Sequence, residues 1–275
     1  SIMTGTNPGE HGIYGFTDLI PGTYTMRFPN FTNMAAEPFW KQEPEKKYIV
    51  INLPFTYPAR EINGYLVSGF LSPSLEKAVY PRTWLDQLEA ASYRVDVDTR
   101  SIYKSEQLFY TSLLDVHEKR RAVYRSMWEE QEWDTFMIVF TGTDRMGHYL
   151  IDAYDDENHD FHGRYLDYYS RIDEDLAWIA SRLRQGDILA MMSDHGMEEV
   201  NKEVYLNTAL EEAGLLMLGD ESKKNYNRVQ AGTKAFALEP SRIHLNMEGV
   251  FPRGSVKEQE REAVLAEPDR LGRAD

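Results

Sequence analysis

The sequence predicts an α/β protein built on a mostly parallel sheet with helices on both faces. Two observations carry the prediction. Three apolar runs, "KKYIVINLP" (Lys46 to Pro54), "DTFMIVFTGTD" (Asp134 to Asp144) and "GDILAMMSDHG" (Gly186 to Gly196), are continuous rather than alternating. That is how strands covered on both faces read. Helical patterns lie between the runs, and strand alternating with helix is the order of a parallel sheet.

The first run is β-branched and stops at Pro54, which has no N–H for a ladder. "LPFTYPAREINGYLVSGFLSPS" (Leu53 to Ser74) follows, crowded with Pro, Gly and Tyr, and reads as a long ordered loop. Residues 53–125 are the expected insertion or cap within one domain spanning 1–275. "EKRRAVYRSMWEEQ" (Glu118 to Gln131) is a helix leading into the second run. "YLDYYSRIDEDLAWIASRL" (Tyr165 to Leu183) leads into the third. Its Leu166, Tyr169, Ile172, Leu176, Ile179 and Leu183 recur at helical spacing and predict the buried face. The closing "KEQEREAVLAEPDRLGRAD" is charged and weakly periodic, a frayed helix or a ragged end.

A chain of 275 residues can bury a sizeable core. The net charge of −15 opposes a phosphate backbone, which disfavours nucleic acid as the main partner. Small anionic substrates stay open, because a metal reverses the local field. No stretch is long and apolar enough to span a bilayer. The chain has no Cys, which removes disulfides, thiolate zinc sites and Cys nucleophiles and fits a reducing compartment such as the cytoplasm.

Two Asp–His pairs follow the second and third runs, at the strand ends where open α/β sheets bind ligands. Asp144 and His148 are four apart, so one helical turn puts both on one face, as two ligands on one ion require. Asp194 and His195 are adjacent, with Gly196 supplying a permissive turn. Either pair alone reads as a helix cap or a polar turn. Together they form the donor set of a bimetallic hydrolase. Upstream, "SIMTGTNPGEHGIYGF" has the composition of a segment that presents a nucleophile on a turn, with Ser1 at its head. His11 reads as a residue ordering that turn, His117 as a surface residue beside "EKRR", and His159 and His162 as members of a solvated acidic loop. His244 reads as a strand residue that packs. Arg145 and Arg253 suit an anion or a surface salt bridge equally.

Four blocks, "SIMTGTNPGEHGIYGF", "VINLPFTYPAREINGYLVSGFLSP", "VFTGTDRMGHYL" and "MMSDHGM", together resemble the alkaline phosphatase superfamily in its type I phosphodiesterase/nucleotide pyrophosphatase branch. The later "RIHLNMEGVFPRGSV" is similar to a block of many microbial members. The resemblance implies an alkaline phosphatase-like core and hydrolysis of phosphate esters through a covalent phosphoserine on Ser1. It implies Asp144 and His148 as ligands of one divalent ion and Asp194 and His195 as ligands of another, zinc first and manganese second. The implied partner is a small phosphate ester or nucleotide. The family's upstream Asp and far-downstream His have no match here, so the resemblance implies an internal fragment, incomplete at both ends. Ser1 to Gly5 lack the Pro and Arg of a sulfatase block. A phosphomonoesterase of the same superfamily, an N-terminal-nucleophile amidohydrolase and a non-catalytic fragment are the alternatives.

Overall fold

The computed structural model describes residues 1–219, 228–239 and 242–267. Its strands are β1 (Asp18–Leu19), β2 (Met26–Arg27), β3 (Tyr48–Leu53), β4 (Gly64–Ser68), β5 (Val79–Tyr80), β6 (Thr135–Ile138), β7 (Ala235–Glu239) and β8 (Arg242–Leu245). Its α-helices are α1 (Pro8–His11), α2 (Leu85–Ala90), α3 (Glu106–Glu130), α4 (Thr141–Asp155), α5 (His162–Ala180), α6 (Leu206–Glu212) and α7 (Arg261–Leu265). The chain divides into two compact units, one of residues 1–11 and 30–200, the other of 12–29 and 201–275.

The first unit holds a four-stranded sheet in the order β5-β4-β3-β6. β3 runs parallel to both β4 and β6, and only β5 is antiparallel. This is the expected α/β class with a mostly parallel sheet. Every residue of β3 is buried, which is why its sequence does not alternate. Ile49 and Ile51 face a cluster with Leu88 of α2, Val123 and Met127 of α3, and Trp178 of α5. Tyr48 and Val50 face the other way, onto Phe31 and Trp40. Two short 3-10 turns, Phe31–Asn33 and Phe39–Lys41, carry those aromatics, so this face is covered by single turns rather than long helices. Residues 53–125 contribute β4, β5 and α2 to this unit.

α3 begins well before the patterned stretch, because Ser105 accepts from the Leu108 N–H and caps it. Its buried line then runs from Phe109 to Met127 and includes His117, so His117 is a core residue and not a surface one. α5 forms where expected, but Tyr165, Tyr168, Ile172, Asp175 and Ile179 are its buried face. Leu166 and Tyr169 point to solvent, because the two neighbouring tyrosines already fill the inner side. The third apolar run forms no strand. Residues 185–205 are irregular and largely exposed, Ile188, Met191 and Met192 among them. A strand needs a free sheet edge for its N–H and C=O groups, and among the described strands none pairs with this run. Periodicity sees the apolar residues, not the partner.

The second unit pairs β1 with β2 and β7 with β8, both antiparallel. Tyr24, Leu210, Leu216 and Phe236 are central to its core. Tyr24 stacks on Phe251 and its hydroxyl donates to Asn246 Oδ1 at 2.6 Å. His244 lies on β8, as expected, stacked on Phe236. No described helix is long and apolar enough to cross a membrane.

Candidate active site

β6 ends at Ile138, and the chain turns through Val139 and Phe140 into α4. No side chain caps α4 at Phe140. Instead Arg120, buried on α3, donates to Thr141 Oγ1 and to the Arg94 carbonyl, tying the start of α4 to its neighbours. Gly142 fits closely there: a Cβ would come 1.7 Å from the hydroxyl of buried Tyr168. Asp144 falls in the first turn of α4, where the helix end favours a carboxylate. His148 follows one turn later, and its Nε2 lies 3.3 Å from Asp144 Oδ1.

The segment after α5 brings in the second pair. His195 Nε2 lies 3.5 Å from the same Asp144 Oδ1 and 3.7 Å from Asp194 Oδ2. The rings of His148 and His195 are 6.2 Å apart. Both imidazoles singled out as ligands therefore meet at one carboxylate oxygen of Asp144, and Asp194 reaches the group through His195. Gly147 makes the approach possible, because a Cβ there would lie 2.4 Å from Met197 Cγ. Nothing in local patterning marks Gly147 for this role, since the neighbour it admits lies far along the chain.

His195 Nδ1 faces the Gly196 carbonyl at 2.9 Å. That bond raises the His195 pKa above its ordinary value; partial burial works against it, and Asp194 and Asp144 add to it. With Nδ1–H donating to Gly196, Nε2 is the atom turned to the cluster, the arrangement a ligating imidazole needs. Arg145, which suited an anion or a salt bridge from sequence, is a buried salt bridge. Its Nη1 donates to Asp144 Oδ2 at 2.9 Å, its Nε and Nη2 donate to Asp96, and its guanidinium lies over the Phe70 ring.

Ser1 sits on a turn, its carbonyl accepting from the N–H groups of Thr4 and Gly5. Its Oγ lies 3.3 Å from His11 Nε2 and bonds none of the four clustered residues. His11 is buried, and burial holds its pKa below the ordinary value. It is thus the side chain paired with Ser1, beyond the turn-ordering role its glycine-rich surroundings suggest.

The donor chemistry fits a divalent cation in kind: two carboxylates and two imidazoles, with both Nε2 atoms directed at one oxygen. The spacings, 3.3 to 3.7 Å, are those of side-chain ion pairs. Among the described residues, no group of three or more such side chains stands in a ready cage.

The family model described as Type I phosphodiesterase / nucleotide pyrophosphatase matches residues 1–273. No curated protein matches the chain, and no solved structure does.

Proposed function

The chain belongs to the type I phosphodiesterase/nucleotide pyrophosphatase family, whose members hydrolyse phosphoric esters, and on that premise we propose that it is a metal-dependent phosphodiesterase using Ser1 as nucleophile. The observation that supports this most is the meeting of His148 and His195 at Asp144 Oδ1, with Asp194 beside His195. On this reading Asp144 and His148 hold one divalent ion and Asp194 and His195 hold the other, zinc by first choice and manganese by second. When bound, such ions neutralise phosphoryl oxygens and ease loss of the serine proton. Residues 1–275 then serve one hydrolase domain, with 53–125 as an elaboration of it.

Ser1 Oγ attacks phosphorus in line. The P–Oγ bond forms as the bond to the leaving oxygen breaks, and the serine proton is released. His11, kept neutral by burial, holds the hydroxyl in place. Water then attacks the phosphoserine, which restores the hydroxyl and frees a phosphate monoester. The substrate is a small phosphate ester or nucleotide.

The test is hydrolysis of bis-p-nitrophenyl phosphate against p-nitrophenyl phosphate by the metal-loaded protein. The diester is the better substrate on this reading. Ser1→Ala lowers kcat by about 10³-fold or more, and acid quenching of the wild type traps phosphate on the Ser1 peptide. No turnover of either ester overturns the proposal.

A further inference from the structure

Arg145 stands between two carboxylates and is itself almost out of solvent, 8% exposed. Its Nε and Nη2 both go to Asp96, which fixes the plane of the guanidinium. The Phe70 ring lies 4.4 Å from its central carbon and closes one face. Only Nη1 is left to reach Asp144, and it takes Oδ2. Oδ1 is then the oxygen that both imidazoles meet.

We propose that Arg145 is a positioning residue: anchored by Asp96 and Phe70, it holds Asp144 Oδ2 and so commits Asp144 to bind a cation through Oδ1 alone. This rests on the reading above, that Asp144 is a ligand. The physical reasons are two. A carboxylate free to rotate can offer a cation either oxygen or both, and one fixed donor on Oδ2 removes that choice. A guanidinium can also serve two carboxylates at once in a set geometry, which the single ammonium of Lys cannot reproduce. Asp96 supplies the counter-charge that keeps Arg145 from drawing wholly onto Asp144 and competing with the cation. Partners of this kind, one step behind a ligand, are worth about 10- to 100-fold in metal affinity.

The test uses the whole chain, stripped of metal and titrated with zinc by calorimetry and with cobalt(II) by visible absorption. Arg145→Lys and Asp96→Asn probe the clamp from its two ends, and Asp144→Asn tests the ligand. Circular dichroism identifies the folded variants. Asp144→Asn should abolish tight binding. Arg145→Lys and Asp96→Asn should each weaken it about 10- to 100-fold. Both should also change the intensity of the cobalt bands, as Asp144 gains a second ligating oxygen. The double variant should bind no worse than the weaker single, because the two residues act as one unit. The proposal fails if Asp144→Asn loses the metal while either folded clamp variant keeps wild-type affinity and an unchanged cobalt spectrum. If Asp144→Asn binds as well as wild type, the ligand assignment falls and this inference falls with it.

Discussion

Gly147 shows how one hydrogen atom assembles a site. Asp144 and His148 share a face because they are four apart on α4, and that much is written in their spacing. Their meeting with His195 brings the Met197 side chain against the same helix, and a residue without Cβ leaves it the room. Gly147→Ala should therefore separate stability from binding. The helix interior gains roughly 0.5–1 kcal/mol of propensity, while Met197 is pushed outward and takes Asp194 and His195 with it. We expect an unchanged or higher melting temperature together with about tenfold weaker zinc binding by calorimetry. A fall in melting temperature with intact binding would refute the account. The Ser1–His11 pair is the converse case. A His ten residues on within a glycine-rich turn was visible, but its burial against the Ser hydroxyl depends on three-dimensional packing that composition does not report.

α3 and α5 are joined by an acid on the core side of α5. Asp175 is fully buried, with Arg121 Nε at 2.8 Å, His117 Nε2 at 3.0 Å and Arg125 Nη2 at 3.1 Å. Burial pushes its carboxyl upward, but His117, Tyr124 and Arg121 outweigh burial and leave it below the ordinary value. A carboxylate depressed in the fold contributes stability that is present above its unfolded pKa. The contribution is lost as pH falls through the folded one. Urea midpoints should thus hold steady above about pH 4 and drop below it. Asp175→Asn should cost about 3 kcal/mol in the same assay and flatten that acid limb. The acid also explains a misread face. Apolar counting placed Leu166 and Tyr169 inside α5, whereas the inner face carries Tyr165, Tyr168 and a charged residue that no apolar template selects. β3, β6 and α5 themselves were legible because each is a long or unbroken pattern. The expected third strand was not real, since an apolar run is necessary for a buried strand but a partner edge is what makes one.

At the scale of the molecule, the sign of the charge was legible from composition and the second unit was not. The strands of that unit are two to five residues long and antiparallel, too short to leave a run in the sequence. The net charge of −15 meets a substrate that is itself an anion. Raising ionic strength from about 0.01 to 0.15 M shrinks the screening length from about 30 to 8 Å. On the proposed function, kcat/KM for a mono-anionic diester should then rise, the reverse of a steered encounter. A fall would mean that the local field at the site dominates the approach. The irregular stretch that replaces the third strand has a chemical consequence as well. Met191 and Met192, 69% and 68% exposed, stand just ahead of Asp194 and His195, while Met3, Met127 and Met146 are shut inside. A thioether in open water is attacked by peroxide long before one in a core. Oxidation should therefore convert these two to sulfoxides first, making the approach to the metal-ligand candidates the place where oxidant damage to this protein begins.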